Sequence, residues 1–256
     1  MNFTLPFLPE RSNKPRNIGL AMVMDKGLSL RQAEDLVETS GHLIDYIKLG
    51  FGTSIAYNGL EKKIDFYKKN NIKVYFGGTL FEAFVIRNLF EDYLKLIDKF
   101  NLCTVEVSDG SMTMDHTIKC EYISRLAKNF NVLSEVGSKN ADILIPTEVW
   151  IEQMLNELEA GANKIICEAR ESGTVGIFDK SGKANTNLIE SISQKVDLDH
   201  IIWEAPLKGQ QVWFIKNFGA NVNLGNISPE EIVPLETLRL GLRGDTFQEF
   251  IPEHLK

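Results

Sequence analysis

Four glutamates, Glu106, Glu135, Glu168 and Glu204, each close a short run of Val, Ile, Leu or Trp at the point where it gives way to polar residues. Taken singly, a glutamate there is a solvated loop residue. Taken together, four carboxylates drawn into one low-dielectric pocket repel each other strongly and require cations. Lys48, Lys139 and Arg170 stand at comparable run ends, and Lys26 follows Asp25 at the end of the first run. A divalent metal is the other way to neutralise such a set. Oxygen donors without a histidine cluster favour Mg²⁺ over Zn²⁺. The histidines, His42, His116, His200 and His254, fall on loops, element starts or the tail, with no HxxxH or similar spacing. The sequence also has no GxSxG elbow and no Walker A loop, so Lys and Glu are the candidates for moving a proton.

Two further groups suit anion binding. Gly77-Gly78-Thr79 falls between an apolar run and a helical stretch, where backbone N–H groups and a hydroxyl can meet a phosphate or sulfonate. A tight turn is the alternative use of that glycine pair. Asn223, Gly225 and Asn226 are expected at the end of the last run. Arg239 and Arg243 would close on an anion, or cap the final helix and bridge to a neighbouring subunit.

These residues need elements to bring them together. Eight β-rich apolar runs read as buried strands: Ile18–Met24, Leu43–Leu49, Ile72–Phe76, Leu102–Val107, Asn131–Val136, Lys164–Glu168, Ile201–Glu204 and Ala220–Leu224. Helical stretches alternate with them: Leu30–Ser40, Gly59–Asn70, Leu80–Phe100 as one or two pieces, His116–Asn129, Pro146–Ala160, Thr186–Lys195, Lys208–Phe218 and Ser228–Arg239. Ser29 with Gln32 makes a capping box, and Ser228-Pro229-Glu230-Glu231 an N-cap with Pro at N1. Eight alternations without a linker predict an α/β fold, a single-domain (β/α)₈ TIM barrel over residues 1–256. Residues 1–17 and 244–256 are read as terminal extensions. A doubly wound open sheet is the rival, but no GxGxxG opens a helix. In such a barrel, catalytic groups sit at the C-terminal strand ends, which is where the Glu and Lys residues fall.

A formal net charge of −7 without a basic tract argues against a nucleic-acid partner. No apolar run reaches the roughly 20 residues that span a bilayer, and the N-terminus, with Pro6, Pro9, Glu10 and Arg11, lacks a signal-peptide pattern. Cys103, Cys120 and Cys167 form no CxxC pair; Cys103 and Cys167 lie in apolar runs and read as buried thiols. A reducing, cytoplasmic setting is expected.

The motifs themselves resemble those of the phosphosulfolactate synthase family. They are Asp25-Lys26-Gly27, Lys48-Leu49-Gly50, Gly77-Gly78-Thr79 with Glu82, and Val105-Glu106-Val107-Ser108-Asp109-Gly110. Further along come Ser134-Glu135-Val136-Gly137 with Lys139, Ala160-Gly161-Ala162, Ile166-Cys167-Glu168-Ala169-Arg170, Trp203-Glu204-Ala205-Pro206 and Gly241-Leu242-Arg243-Gly244-Asp245-Thr246. A plant heat-tolerance protein looks like the same family. The resemblance implies a TIM-barrel lyase working in the synthetic direction, adding sulfite to phosphoenolpyruvate with Mg²⁺ to give (2R)-3-phosphosulfolactate. A homo-oligomer is expected. On this reading Lys139 is the general acid, Lys48 and Arg170 hold phosphate or carboxylate, and Lys26 holds sulfite or a phosphate oxygen. Gly77, Gly78, Thr79, Asn223 and Gly225 line the substrate, and Glu106, Glu135, Glu168 and Glu204 are the pool of Mg²⁺ ligands. Two rivals stand beside it: a class I aldolase with a Schiff base on Lys48, and a barrel without activity kept as a stress or scaffold protein.

Overall fold

Short strands dense in Val, Ile and aromatic residues are stable only when both faces are covered, and here they are. The strands are Ala21–Asp25 (β1), Tyr46–Leu49 (β2), Lys73–Phe76 (β3), Thr104–Val107 (β4), Asn131–Val136 (β5), Lys164–Cys167 (β6), Ile201–Glu204 (β7) and Leu224–Ile227 (β8). The helices are Leu30–Ser40 (α1), Leu60–Lys69 (α2), Gly78–Val85 (α3), Phe90–Lys99 (α4), His116–Leu126 (α5), Thr147–Glu159 (α6), Thr186–Ser193 (α7), Lys208–Phe218 (α8) and Ile232–Arg239 (α9). This computed structural model describes residues 3–139, 143, 145–170 and 172–256.

All the strand ladders are parallel, in the order β3-β2-β1-β8-β7-β6-β5-β4. β3 and β4 pack side by side, without a ladder among the described residues, so the sheet is a nearly closed (β/α)₈ barrel, as the sequence pattern predicts. Leu20, Met22, Tyr46, Tyr75, Leu133, Ile166 and Ile202 form a plug inside it. A second, larger core lies between the outer strand faces and the helices. Side chains two residues apart share a strand face. The inward positions after Tyr46, Leu133, Ile166 and Ile202 are therefore Lys48, Glu135, Glu168 and Glu204. The apolar plug is the floor on which the charged residues stand.

Local chemistry sets several boundaries. Ser29 and Gln32 form the expected capping box: Gln32 N–H donates to Ser29 Oγ (3.2 Å) and Ser29 N–H to Gln32 Oε1 (2.9 Å). Such a cap contributes about 1 kcal/mol. Leu80–Phe100 breaks into two helices at Asn88, which adopts φ 56°. Ser228 precedes a short 3₁₀ turn, Pro229–Glu231, and its hydroxyl bonds Glu230 instead of capping the backbone. Cys103 is exposed just before β4, against the expected burial, while Cys167 is buried.

The last strand lies later than the run Ala220–Leu224 suggests. Ala220 and Val222 precede β8, and their carbonyls accept from the buried Arg239 guanidinium (2.6 and 2.7 Å), which also reaches Leu20 (3.1 Å). Residues from the N-terminal segment close the same end. Arg11 makes a two-pronged pair with Glu236 (2.9 and 3.1 Å), and Arg16 grips Asp45. The end of the barrel at which the strands begin is sealed by side chains. Among the described residues, no helix is long and apolar enough to cross a membrane.

Candidate active site

At the opposite end, Lys48 rises from β2 into a ring of carboxylates. Its Nζ lies 3.0 Å from Glu106 Oε1, 3.0 Å from Glu135 Oε2 and 3.7 Å from Glu204 Oε1. Lys139, on the loop after β5, meets the same ring from above: 2.9 Å to Glu135 Oε1, 3.5 Å to Glu82 Oε1 and 3.8 Å to Glu168 Oε2. Glu135 thus bridges the two ammoniums. Lys48 is closed in, whereas the Lys139 side chain keeps 22% of its surface exposed.

Glycines make this closeness possible at two points. Gly137 has φ +124°, and a Cβ there would stand 2.7 Å from the Trp150 ring and 2.8 Å from Glu168 Cβ. That backbone conformation turns the chain so that Lys139 returns over Glu135. At Gly78, a Cβ would overlap Ser108 Oγ (2.1 Å) and Glu106 Oε1 (2.7 Å). The Gly78 N–H instead donates to Glu106 Oε1 at 2.5 Å, so the N-terminus of α3 receives the protein's own carboxylate.

Each remaining carboxylate has its own fixings. Glu204 Oε2 accepts from Ala169 N–H and Asn226 Nδ2, both at 3.2 Å. Glu168 Oε1 accepts from Arg170 N–H at 2.5 Å, across a left-handed turn in which Arg170 has φ 55°. Glu82 accepts from Ser108 Oγ and from Ser111 N–H, the latter at 2.7 Å. Glu106 Oε2 and Glu168 Oε2 are buried without a hydrogen-bond donor.

The electrostatics follow from burial against pairing. Burial pushes Glu106 up to about 7, with the Lys48 ammonium pulling the other way. Glu168 is held well above the ordinary carboxylate range by burial and by the Glu135 carboxylate beside it. Burial also raises Glu204. Glu135 goes the opposite way: burial opposes ionisation, but Lys139 and Lys48 outweigh it and hold the carboxyl well below its usual range. Lys48 and Lys139 both lie above the usual lysine value, because the carboxylates overcome the desolvation of each ammonium. Five carboxylates face two ammoniums, so full ionisation would leave three negative charges uncompensated. The site therefore takes up protons or a further cation.

The donor set suits a hard divalent cation, being carboxylate oxygens alone; Glu106 Oε2, Glu135 Oε1 and Glu168 Oε2 are buried without a hydrogen bond, and of these Glu135 Oε1 has the Lys139 ammonium at 2.9 Å. Among the described residues, no three such groups already stand in the arrangement of a metal centre. Any Mg²⁺ would share the ring with the lysines.

The structure thus gathers Lys48, Lys139, Glu106, Glu135, Glu168 and Glu204, and sorts the other candidates differently. Arg170 is exposed at the rim, its guanidinium donating to the Lys139 carbonyl at 3.1 Å. Lys26 is exposed on the loop after β1, 5.5 Å above the Phe51 ring. Thr79 is exposed, and a Cβ on Gly77 would press on Lys48 Cε (3.1 Å). Gly77 and Gly78 serve as the tight turn that admits Lys48 and Glu106. Gly225 belongs one layer down: a Cβ there would meet Met22 Cε (2.7 Å) and Ile202 Cγ2 (2.9 Å).

Asn223 does not reach the site. It lies before β8, its Oδ1 accepting from Leu20 N–H (3.1 Å) and its Nδ2 donating to the Ile201 carbonyl (3.0 Å), at the sealed end. A strand boundary placed early carried it to the wrong end of the barrel. Arg239 lies at that end too, its guanidinium donating to the Ala220, Val222 and Leu20 carbonyls. Asp25 braces its own loop, accepting from Gly27 and Leu28 N–H (both 2.8 Å), Tyr67 and Lys63.

Glu82 is the ring member to which the sequence assigns no role, although it stands in the motif with Gly77-Gly78-Thr79. It projects from α3 rather than from a strand, one acid within Leu80-Phe81-Glu82-Ala83-Phe84-Val85. Asn226, holding Glu204, and Ser108, holding Glu82, complete the inner wall.

A (β/α)₈ barrel with one end sealed and the other lined by interlocked Lys and Glu side chains has the architecture of a TIM-barrel enzyme. Among solved structures, a 3-hexulose-6-phosphate synthase superposes with a TM-score of 0.57 at 14% identity, covering 86% of this chain and 99% of that one. That likeness shows the fold. The model of the (2R)-phospho-3-sulfolactate synthase (ComA) family matches residues 9–245. The phosphosulfolactate synthase of Bacillus subtilis is 42% identical over 243 residues, covering 94% of this chain and 96% of the relative. That of Methanocaldococcus jannaschii is 43% identical over 235 residues, covering 90% and 94%. The chain belongs to the phosphosulfolactate synthase family.

Proposed function

We propose that this enzyme adds sulfite to phosphoenolpyruvate, with Mg²⁺, to give (2R)-3-phosphosulfolactate. The observation that carries the reading is Lys139: a partly exposed ammonium at the open mouth, held on Glu135 and kept charged. Sulfite is a good nucleophile and needs positioning more than activation. Its sulfur attacks the methylene carbon, a C–S bond forms, and the electron pair of the C=C bond moves toward carbon two and the adjoining carboxylate. Carbon two then takes a proton from Lys139, leaving the amine to be reprotonated by bisulfite or solvent. An α-carbon bearing that charge is far more basic than an amine, so a lysine above its ordinary value still delivers the proton. Protonation from one face fixes the configuration.

Mg²⁺, when bound, supplies charge neutralisation at the substrate carboxylate. Glu106 and Glu168 would hold it, each having a buried oxygen without a donor, with Glu135 and Glu204 beside them. Lys48 compensates the ring's charge and Arg170, at the rim, meets the phosphate. Lys26, on the loop after β1, would hold the incoming sulfite. The Schiff-base alternative needs Lys48 as a free amine, whereas Glu106, Glu135 and Glu204 hold it as an ammonium.

Incubation with phosphoenolpyruvate, sulfite and Mg²⁺, followed by phosphorus NMR, tests the reading directly. A new phosphate-ester resonance that requires sulfite is expected. An unchanged phosphoenolpyruvate signal refutes it.

A further inference from the structure

Behind the wall of the active site lies a second set of buried charges. Lys119 projects from α5 into the seam between α5, α6 and β5, with 2% of its side chain exposed. Its Nζ has three partners: Glu157 Oε1 at 2.8 Å, Asp109 Oδ1 at 2.9 Å and the Glu135 carbonyl at 2.7 Å. Glu157, from α6, is fully buried and also accepts from Ser134 Oγ at 2.5 Å, with His116 Nε2 at 3.3 Å. Burial opposes the charge on Lys119, but Glu157 and Asp109 outweigh it and hold the amine above its ordinary value.

Stability alone gives little reason for this arrangement. A buried ion pair often contributes no more than apolar side chains of the same volume would. Its geometry points elsewhere, because two of the three partners flank Lys139. Glu135, whose carbonyl Lys119 holds, carries the carboxylate on which Lys139 Nζ rests at 2.9 Å. Asp109 precedes Gly110, whose carbonyl accepts from Lys139 N–H at 3.4 Å. The Lys139 stem also packs against Gly110 so closely that a Cβ there would meet its Cγ, Cδ and Cε at 3.1 to 3.3 Å.

We propose that Lys119 is a positioning residue: from outside the barrel wall it fixes the Glu135 backbone and the Asp109–Gly110 loop, and so sets where the Lys139 ammonium stands. This rests on the reading of Lys139 as the acid. A displacement of about 1 Å in a reacting group can cost on the order of 10²-fold in rate, so a grip on both flanks of Lys139 has kinetic weight.

The test is a coupling experiment on the full-length enzyme with phosphoenolpyruvate, sulfite and Mg²⁺. Asp109→Asn keeps the size of a partly exposed side chain, and Lys119→Met removes the grip; thermal midpoints establish that each variant is folded. Each is expected to lower kcat at least about tenfold, with KM for phosphoenolpyruvate unchanged within about twofold. In a Lys139→Ala background, followed over hours, the same substitutions are expected to cost less than about twofold. The proposal is overturned by an unchanged kcat in the folded single variants, by a KM that rises in step with the loss, or by an equal loss when Lys139 is absent. Should Lys119→Met not fold, Asp109→Asn decides by the same criteria. A Lys139→Ala enzyme that retains its kcat overturns the acid role itself and this proposal with it. A normal coupling failure, with Lys139→Ala impaired, overturns only the part played by Lys119.

Discussion

Lys139 Nζ stands 2.9 Å from Glu135 Oε1, although the two residues lie on opposite sides of a turn that only Gly137, at φ +124°, makes comfortable. On a helix, residues four apart meet by default. Here they meet because a strand ends, the chain reverses, and the lysine folds back over the carboxylate it has just left. The contact is therefore a property of the loop, and the loop is held by Trp150 and Glu168 beneath it.

Replacing Lys139 by Ala separates chemistry from binding. If the ammonium delivers the proton to carbon two, kcat falls by about 10²–10⁴-fold while KM for phosphoenolpyruvate changes little. Arg170→Ala should do the reverse, raising KM with kcat preserved, since a rim guanidinium contributes uniform binding. Steady-state kinetics on both variants decide the assignment; a large KM effect in Lys139→Ala would return that lysine to the binding group.

Lys48→Met removes the one ammonium shared by Glu106, Glu135 and Glu204. Leaving buried carboxylates without their counter-ion costs roughly 3–5 kcal/mol. Urea titration should show a midpoint lowered accordingly, with the slope unchanged. A variant as stable as the parent would mean that protons or metal already balance the ring.

Metal removal should abolish turnover. Carboxylates that outnumber their lysine partners attract a divalent cation, so EDTA is expected to silence the enzyme and Mg²⁺ or Mn²⁺ to restore it. Full activity in protein shown to be metal-free would argue for lysine-only catalysis.

Stability should fall with rising pH through neutrality in metal-free buffer. Glu106, pushed up to about 7 by burial, holds its proton more tightly folded than unfolded. Its contribution is complete below the ordinary carboxylate value and is lost as pH rises through about 7. Calorimetry between about pH 6 and about pH 8 should show a falling Tm, and Glu106→Gln should flatten that fall. Parallel curves for the two proteins would place the titration on another group.

Most of this was legible in the residues because strands alternate. An apolar residue followed two places later by Lys or Glu, as in Tyr46 and Lys48 or Ile202 and Glu204, marks an inward face that changes from plug to site. Legibility ended where the position of a residue depended on a boundary. Asn223 reads as a site residue only while the last strand is placed at Ala220–Leu224; with β8 beginning at Leu224, it belongs to the sealed end. Arg239, read from the tail as an anion clamp or a helix cap, is buried at that same end on the Ala220, Val222 and Leu20 carbonyls. Gly77-Gly78 reads as an anion cradle or a tight turn, and the sequence does not show that the anion it receives is Glu106. The parts played by Glu82, named in its motif without a role, and by Lys119 are illegible for another reason: both come from helices, and only packing tells which helical polar residue turns inward.

The pairing of Arg11 with Glu236 has a consequence for how the chain is made. Arg11 must wait for partners that lie 225 and 209 residues further along the chain, since it pairs with Glu236 and also donates to the Ala220 carbonyl. At about 5–20 residues per second, that delay lasts roughly 10–50 s. Until β8 is made, the edges of β1 and β7 that pair with it have no partner. The latch therefore engages only on chains that have been made as far as Glu236, and products truncated before it never acquire it.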